Sequence, residues 1–367
     1  MIRMGLVAAG LGALVACTDG EGTGTPTPAD DVAEYDALAA DLEAGRTVLT
    51  EGAAQDYAVA GSRLFWLDAG SGIPALKSHD DETGEDLTYD ARVHWPGTPG
   101  TPSDNMNFSA GRGVFGSMNT MDSLTAYDPA DGALLDELVV PAPPYGQKWW
   151  AYAADGDDVY VMLIEGGAYH LRRWTPGSDR TDDVLTLDDL VAPNTIGEFT
   201  TFTVAGDTLM FYESGRLWIA STTGGKAQWT KNDEYVGGVV FTDEDVVYTQ
   251  GERVFRYVRS TDEREELTDA IAAGYTLNAT YPEPHLPAAD TQLDRVGDTL
   301  YYQGTYGIFA YDLDAGTAEP VLLDARDNST VYRYPTAVAA TGALFVKGLE
   351  STSGAVGADG PTYRVVP

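Results

Sequence analysis

Cysteine is almost absent: Cys17 is the single one in 367 residues. One thiol excludes an intramolecular disulfide and any zinc site built on cysteine pairs, so stability must come from packing and chain closure. Basic residues are scarce as well. Lys and Arg number 22 against 57 Asp and Glu, for a net charge of −35. Such a field repels nucleic acid and anionic membrane surfaces, which excludes both as partners recognised by charge. It suits an acidic surface that keeps the chain soluble. The four histidines, His79, His94, His170 and His285, stand apart in sequence, with no HExxH or other short-range ligand pair. A P-loop and a G-x-S-x-G nucleophile elbow are also missing. Residues 223–226 (TGGK) lack the first glycine and the final Ser/Thr of a P-loop. No catalytic residue, metal site or cofactor is therefore assigned.

Long apolar runs are missing too. The longest, residues 5–16 behind Arg3, is too short to cross a bilayer as a helix and has the form of an export signal. It ends in Leu14-Val15-Ala16-Cys17. This motif resembles the lipobox of bacterial lipoproteins. The resemblance implies that residues 1–16 are a signal peptide and that Cys17 is acylated, anchoring the chain to a lipid bilayer in the bacterial cell envelope. Thr18, in the place where Asp favours inner-membrane retention in enteric bacteria, leans the expectation towards the outer membrane. Residues 18–29 are a Gly/Thr/Pro linker with no apolar side chain larger than alanine, expected to be a flexible tether. Residues 30–44 predict a short helix, capped by Asp30 or Asp31 and stopped by Gly45, with Val32, Tyr35, Leu38 and Leu42 on one face. It should pack on the outside of the fold.

What the chain has in abundance is short strands. Residues 293–323 read as Leu293–Val296, 300–303, 308–311 and 319–323, separated by Gly/Asp turns. One sheet of this kind cannot bury both faces, so copies must stack beside it. The turn at Tyr311-Asp312…Gly316 recurs as His79-Asp80…Gly84, Tyr127-Asp128…Gly132 and Ala220-Ser221…Gly225, with degenerate forms at Trp174-Thr175 and Arg259-Ser260. The Asp/Ser/Thr positions are spaced by 48, 47, 46, 39 and 52 residues. A side-chain oxygen at the turn start accepts a backbone N–H two residues on, and glycine supplies the positive φ that closes the hairpin. A second marker, a small turn before an apolar strand, occurs at 61–62, 111–112, 156–157, 206–207, 243–245, 297–298 and 341–342.

Units of about 45 residues with four strands have the period of propeller blades. The turn Ala126-Tyr127-Asp128…Asp131-Gly132 loosely resembles quinoprotein-like (PQQ-like) repeats, without the tryptophan of their consensus. The expectation is an all-β fold over residues 46–367: a seven-bladed β-propeller of four-stranded antiparallel blades, with the short N-terminal helix outside it. The last copy has room for one strand after 344–347, at residues 362–366. Residues 46–50 (RTVLT) are expected to pair with it and close the ring as a monomer.

Function is expected between the repeats. The connectors between successive units carry aromatic residues beside polar ones: His94 and Trp95; Tyr145, Lys148 and Trp149; Tyr281 and His285; Arg333 and Tyr334. Rings next to polar groups suit a protein surface or an envelope polymer. These nine residues are the predicted binding face. The reading is a non-catalytic, lipid-anchored binding protein; the alternative is a glycan hydrolase or lyase that uses a cation at the same face. The acidic run 79–86 (HDDETGED) is read as a solvated hairpin tip.

Overall fold

Two local signals shape every sheet: β-branched or aromatic runs of four to ten residues, and the tight turns between them. The computed structural model describes residues 28–51, 54–68, 75–89, 108–110, 115–120, 123–131, 133–139, 151–165, 168–178, 181–187, 199–213, 216–223, 228–230, 236–241, 244–250, 253–261, 263–274, 293–304, 306–325, 330–338, 341–352, 355–356 and 360–367. The chain opens with helix α1 (Pro28–Ala44) and strand β1 (Arg46–Thr50). Six four-stranded antiparallel sheets follow in order. The first holds β2 (Ala54–Ala60), β3 (Arg63–Asp68), β4 (Ala75–Asp80) and β5 (Asp86–Thr88). The second holds β6 (Phe108–Ala110), β7 (Phe115–Thr120), β8 (Ser123–Tyr127) and β9 (Leu134–Val139). The third holds β10 (Ala151–Asp155), β11 (Asp158–Glu165), β12 (Ala168–Trp174) and β13 (Thr181–Leu187). The fourth holds β14 (Phe199–Ala205), β15 (Thr208–Glu213), β16 (Arg216–Ser221) and β17 (Gln228–Thr230). The fifth holds β18 (Val236–Phe241), β19 (Asp245–Gln250), β20 (Arg253–Val258) and β21 (Glu263–Glu266), followed by helix α2 (Thr268–Gly274). The sixth holds β22 (Leu293–Val296), β23 (Thr299–Gly304), β24 (Gly307–Asp312) and β25 (Thr317–Leu323). The closing sheet is built from both ends of the described chain: β26 (Thr330–Val338), β27 (Ala343–Thr352), β28 (Ala355–Val356), β29 (Thr362–Val365) and β1.

The expected pairing of the N-terminal strand is present: β1 lies antiparallel to β29, with Arg46 opposite Val365 and Val48 opposite Tyr363. The expectation of seven uniform four-stranded blades with one helix is corrected. The closing sheet has five strands, because β27 runs on to Thr352 and pairs with β28 beyond the part that meets β29. The described residues also contain a second helix, α2. Its stretch TDAIAAG sits where the sequence reading placed only the approach to a connector. Thr268 fastens its start by accepting the Val254 N–H at 3.1 Å, and Ile271 is fully buried. Helix α1 begins two residues earlier than expected, at Pro28. As expected it packs from outside: Tyr35, Leu38, Ala39 and Leu42 join the core between the fifth and sixth sheets. The Tyr35 hydroxyl donates to the Asp324 carbonyl at 2.8 Å.

The turn chemistry holds at four of the turn starts, while at the degenerate copy the Thr175 hydroxyl donates to Asp158 and the Gly177 N–H goes to Asp136 instead. Asp80 Oδ1 accepts the N–H groups of Glu82 and Thr83, Asp128 Oδ1 that of Ala130, Ser221 Oγ that of Thr223, and Asp312 Oδ1 those of Asp314 and Ala315. Gly84 and Gly316 close their hairpins at φ of 72° and 67°.

Neighbouring sheets meet through apolar faces. Leu64 and Trp66 of β3 pack on Val338 and Phe345 of the closing sheet; Met210 and Ile219 meet Val246, Tyr248 and Phe255; Tyr301, Ile308 and Leu322 meet Leu344, Val346 and Tyr363. Removing each such side chain from water contributes about 1.5–3 kcal/mol. Polar clasps span the same joints. Tyr89, ordered by the Ser78 hydroxyl at 3.0 Å, meets the Tyr127 ring across the first joint. Asp136 Oδ2 accepts the Gly177 N–H at 2.8 Å, and Asp155 Oδ2 accepts the Gly206 N–H at 2.9 Å. Arg259 donates to Thr208, and Arg295 bonds Asp245 at 2.6 Å. Asp294 accepts the Ala337 N–H at 2.8 Å, and Tyr57 shares a 2.9 Å hydrogen bond with Thr362. The circuit thus returns from the closing sheet to the first.

Candidate functional site

The first strand of each sheet lies beside the first strand of the next, from β2 through β26 and back to β2. These strands form the inner ring. In chain order the last strand of one sheet is followed by the first strand of the next, so the segments between sheets lead into the inner ring. That geometry is the one on which the predicted binding face depends.

His94, Trp95, Tyr145, Lys148, Trp149, Tyr281 and His285 lie outside the described residues, as does Cys17. Arg333 and Tyr334 do not belong to a connector. They fall inside β26, with Arg333 opposite Lys347 in register. The stretch TVYRYPTAV is rich in β-branched and aromatic residues, and Val331 and Tyr332 are buried. Pro335 suggested a loop, but the register shifts between Arg333 and Thr336, on a strand at the inner edge of its sheet. Such an irregularity is where a residue without an N–H is tolerated. Lys347, which sequence reasoning passed over, is 6 % exposed on the strand beside Arg333.

The described histidines serve the sheets. His79 Nδ1 lies 2.9 Å from Asp86 across a hairpin, and its ring meets Phe345 edge-on at 6.3 Å. His170 Nδ1 lies 3.3 Å from the Thr186 hydroxyl on the neighbouring strand. The acidic run 79–86 is a hairpin tip as expected, and its side chains are largely tied into it. Arg63, itself buried, donates to Ser78 at 2.9 Å, Glu85 at 2.8 Å and Asp80 at 3.3 Å. Asp81 holds Arg364 of the closing sheet through both carboxylate oxygens. Burial raises the Asp81 pKa, but hydrogen bonds from Arg364 and Thr341 and the charges of Arg364 and His79 outweigh it, leaving it below the ordinary 3.8. Among the described residues, no three His, Cys, Asp or Glu side chains gather into a group that could hold a metal ion.

One ionisable group at the inner ring departs in the opposite sense. Asp294, on β22, accepts the N–H of Arg295 at 2.7 Å and that of Ala337 at 2.8 Å. The residue keeps partial accessibility, and desolvation raises its pKa to about 7 against these two hydrogen bonds. No countercharge was visible in the sequence to single it out; the signal lay only in an Asp on the first strand of a repeat.

No protein-family model and no curated protein sequence matches the chain. Solved structures do resemble it. An oligogalacturonate lyase in complex with manganese superposes with a TM-score of 0.54 at 14 % identity, over 88 % of this chain and 93 % of that one. A prolyl endopeptidase superposes at 0.53 and 11 % identity, over 93 % of this chain and 54 % of that one. The β-propeller domain of Cps50 (Swd1) from Myceliophteria thermophila superposes at 0.51 and 12 % identity, over 88 % and 99 %. The fold is a β-propeller. Identities this low speak for the fold alone, and the fold does not fix an activity.

Proposed function

We propose that the protein is a lipid-anchored, non-catalytic binding propeller of the bacterial cell envelope, recognising a protein or envelope polymer through its connector end. The observation that supports this most is where the repeat's polar groups go. The Asp, Ser and Arg side chains of the described hairpins are spent on turns and on clasps between sheets. The connectors hold the aromatic and polar residues that the repeat does not use, and each precedes the first strand of a sheet. Anchoring rests on the lipobox-like Leu14–Cys17. Acylation of Cys17 would leave the linker 18–27 and α1 between membrane and ring, with the outer membrane the favoured site.

Anchoring is tested by expressing the full chain and its Cys17→Ala variant in a bacterial host with lipoprotein processing. Wild type is expected in the membrane fraction with incorporated palmitate label. Cys17→Ala is expected in the soluble fraction without label; membrane retention of that variant at wild-type level would sink the anchor. Non-catalysis is tested by the metal content of the purified protein. A stoichiometric cation lost on replacing both His94 and His285 with alanine would favour the glycan-cleaving alternative instead.

A further inference from the structure

Every sheet ends in an outermost strand, and most of these edges are poor seats for a further strand. Strands β5 and β17 have three residues each. Strand β21 reads EREE and is exposed along its length, a row of charges that resists a neighbour. Strand β13 carries Asp182 and Asp183, each paired to an arginine of β12. Strand β25 contains Pro320 and has α1 and α2 packed on it. The edge of β29 is taken by β1.

Strand β9 (LLDELV) differs. It is six residues long, contains neither proline nor a basic residue, and among the described residues pairs with β8 alone. Of the four large apolar side chains that stand exposed among the described residues, two are neighbours on it: Leu134 at 50 % and Leu135 at 43 %. Tyr127 faces Leu134 and Ala126 faces Asp136, so Leu135 has no residue opposite it on β8. From Asp136 to Val139 the ladder is regular against Ala126 to Ser123. An outer edge of this kind offers backbone N–H and C=O groups to an added strand. The closing sheet shows what such an edge accepts: β1, RTVLT, lies antiparallel on β29 as its outermost strand, a short apolar and Thr run led by Arg46.

Charge decides the kind of strand. The four strands of the second sheet hold no Lys or Arg. Strand β9 holds Asp136 and Glu137, with Asp128 and Asp131 in the turn before it. A second copy of β9 would bring these carboxylates against their own kind, which is unfavourable across a strand pair. A basic segment is drawn in by the same field.

We propose that β9 is a docking edge for an extended segment of a partner protein, carrying apolar and basic residues, which adds to the second sheet as a fifth strand. Main-chain hydrogen bonds along the edge hold the segment, Leu134 and Leu135 take its apolar side chains, and the exposed Glu137 takes its Lys or Arg. The surface needs no connector residue, so its failure and that of the connector face are separate results.

The test uses the full chain and two fluorescein-labelled peptides, KTVLTK and ETVLTE, followed by anisotropy, with amide hydrogen exchange to locate the bound strand. The basic peptide is expected to bind saturably, about tenfold more tightly than the acidic one, and to slow exchange across β9. Leu134→Lys/Leu135→Lys, at two exposed positions, is expected to keep the wild-type Tm and to weaken that binding about tenfold. No saturable binding of KTVLTK to wild type would overturn the proposal. So would protection at β29 and not at β9, equal affinity for the two peptides, or unchanged affinity in the folded double variant. If the double variant loses Tm, Glu137→Lys decides: weaker binding of KTVLTK supports the edge, and unchanged binding overturns it.

Discussion

Among the described glycines, Gly307 is the one at which the backbone leaves least room. Its φ is +145°, and a Cβ there would stand 2.1 Å from the Leu322 carbonyl oxygen and 2.9 Å from Leu323 Cα. Both obstacles are backbone of the paired strand, which cannot swing aside. Gly307→Ala is expected to destabilise by about 3 kcal/mol or more, whereas Gly316→Ala, at φ +67° with the Tyr311 hydroxyl 3.8 Å from the new Cβ, should cost about 1 kcal/mol. Urea midpoints of the two variants decide between these magnitudes. Asp81 makes a prediction about pH. Its folded pKa lies below 3.8, so its contribution is present above that value and is lost as pH falls through the lowered one. Arg364→Leu leaves a fully covered carboxylate without its cation, and should cost about 3 kcal/mol at pH 7. The deficit should shrink on going to pH 3.5, read as the difference in Tm from wild type. At this scale the sequence carried the turns well. Asp80, Asp128, Ser221 and Asp312 bond the local N–H groups that their turn positions required. It carried Asp294 poorly, because its bond to the Ala337 N–H arises only when β22 and β26 are brought together from 43 positions apart.

At the scale of elements, the closing sheet is the part assembled from distant sequence. Strand β1 covers the edge of β29, and Leu49 reaches the apolar cluster of Leu64, Trp66, Val338 and Phe345. A chain beginning at residue 28 is expected to keep the Tm of the longer protein. One beginning at residue 51 should lose several degrees and aggregate, since it bares the β29 edge and removes α1 from its groove. Equal Tm and solubility of the two truncations would contradict the closure described above. Strand β1 was legible because RTVLT has strand character and the last repeat lacked a partner for residues 362–366. The strand over Arg333 and Tyr334 was not, because Pro335 imitates a loop signal that the bulged inner edge absorbs. Helix α2 was missed for a related reason: seven residues are too few to show helical periodicity, and its stability comes from Ile271 buried against neighbouring elements.

At the scale of the whole molecule, a charge of −35 is carried on a scaffold whose described arginines are largely drawn into contacts within and between sheets. The repeat period announced a propeller; uniformity did not survive, since the closing sheet carries a fifth strand. Function follows the same division. Repeated residues build the ring, and the proposed function assigns partner recognition to the residues between repeats. The decisive measurement is capture of envelope material by the chain expressed in a bacterial host, comparing wild type with Trp149→Ala/Tyr281→Ala and with the turn variant Asp312→Ala. The connector variant is expected to lose the captured partner at unchanged Tm, while Asp312→Ala keeps it despite a lower Tm. Retention of the partner by the folded connector variant, at the wild-type level, would contradict a binding face at the connector end.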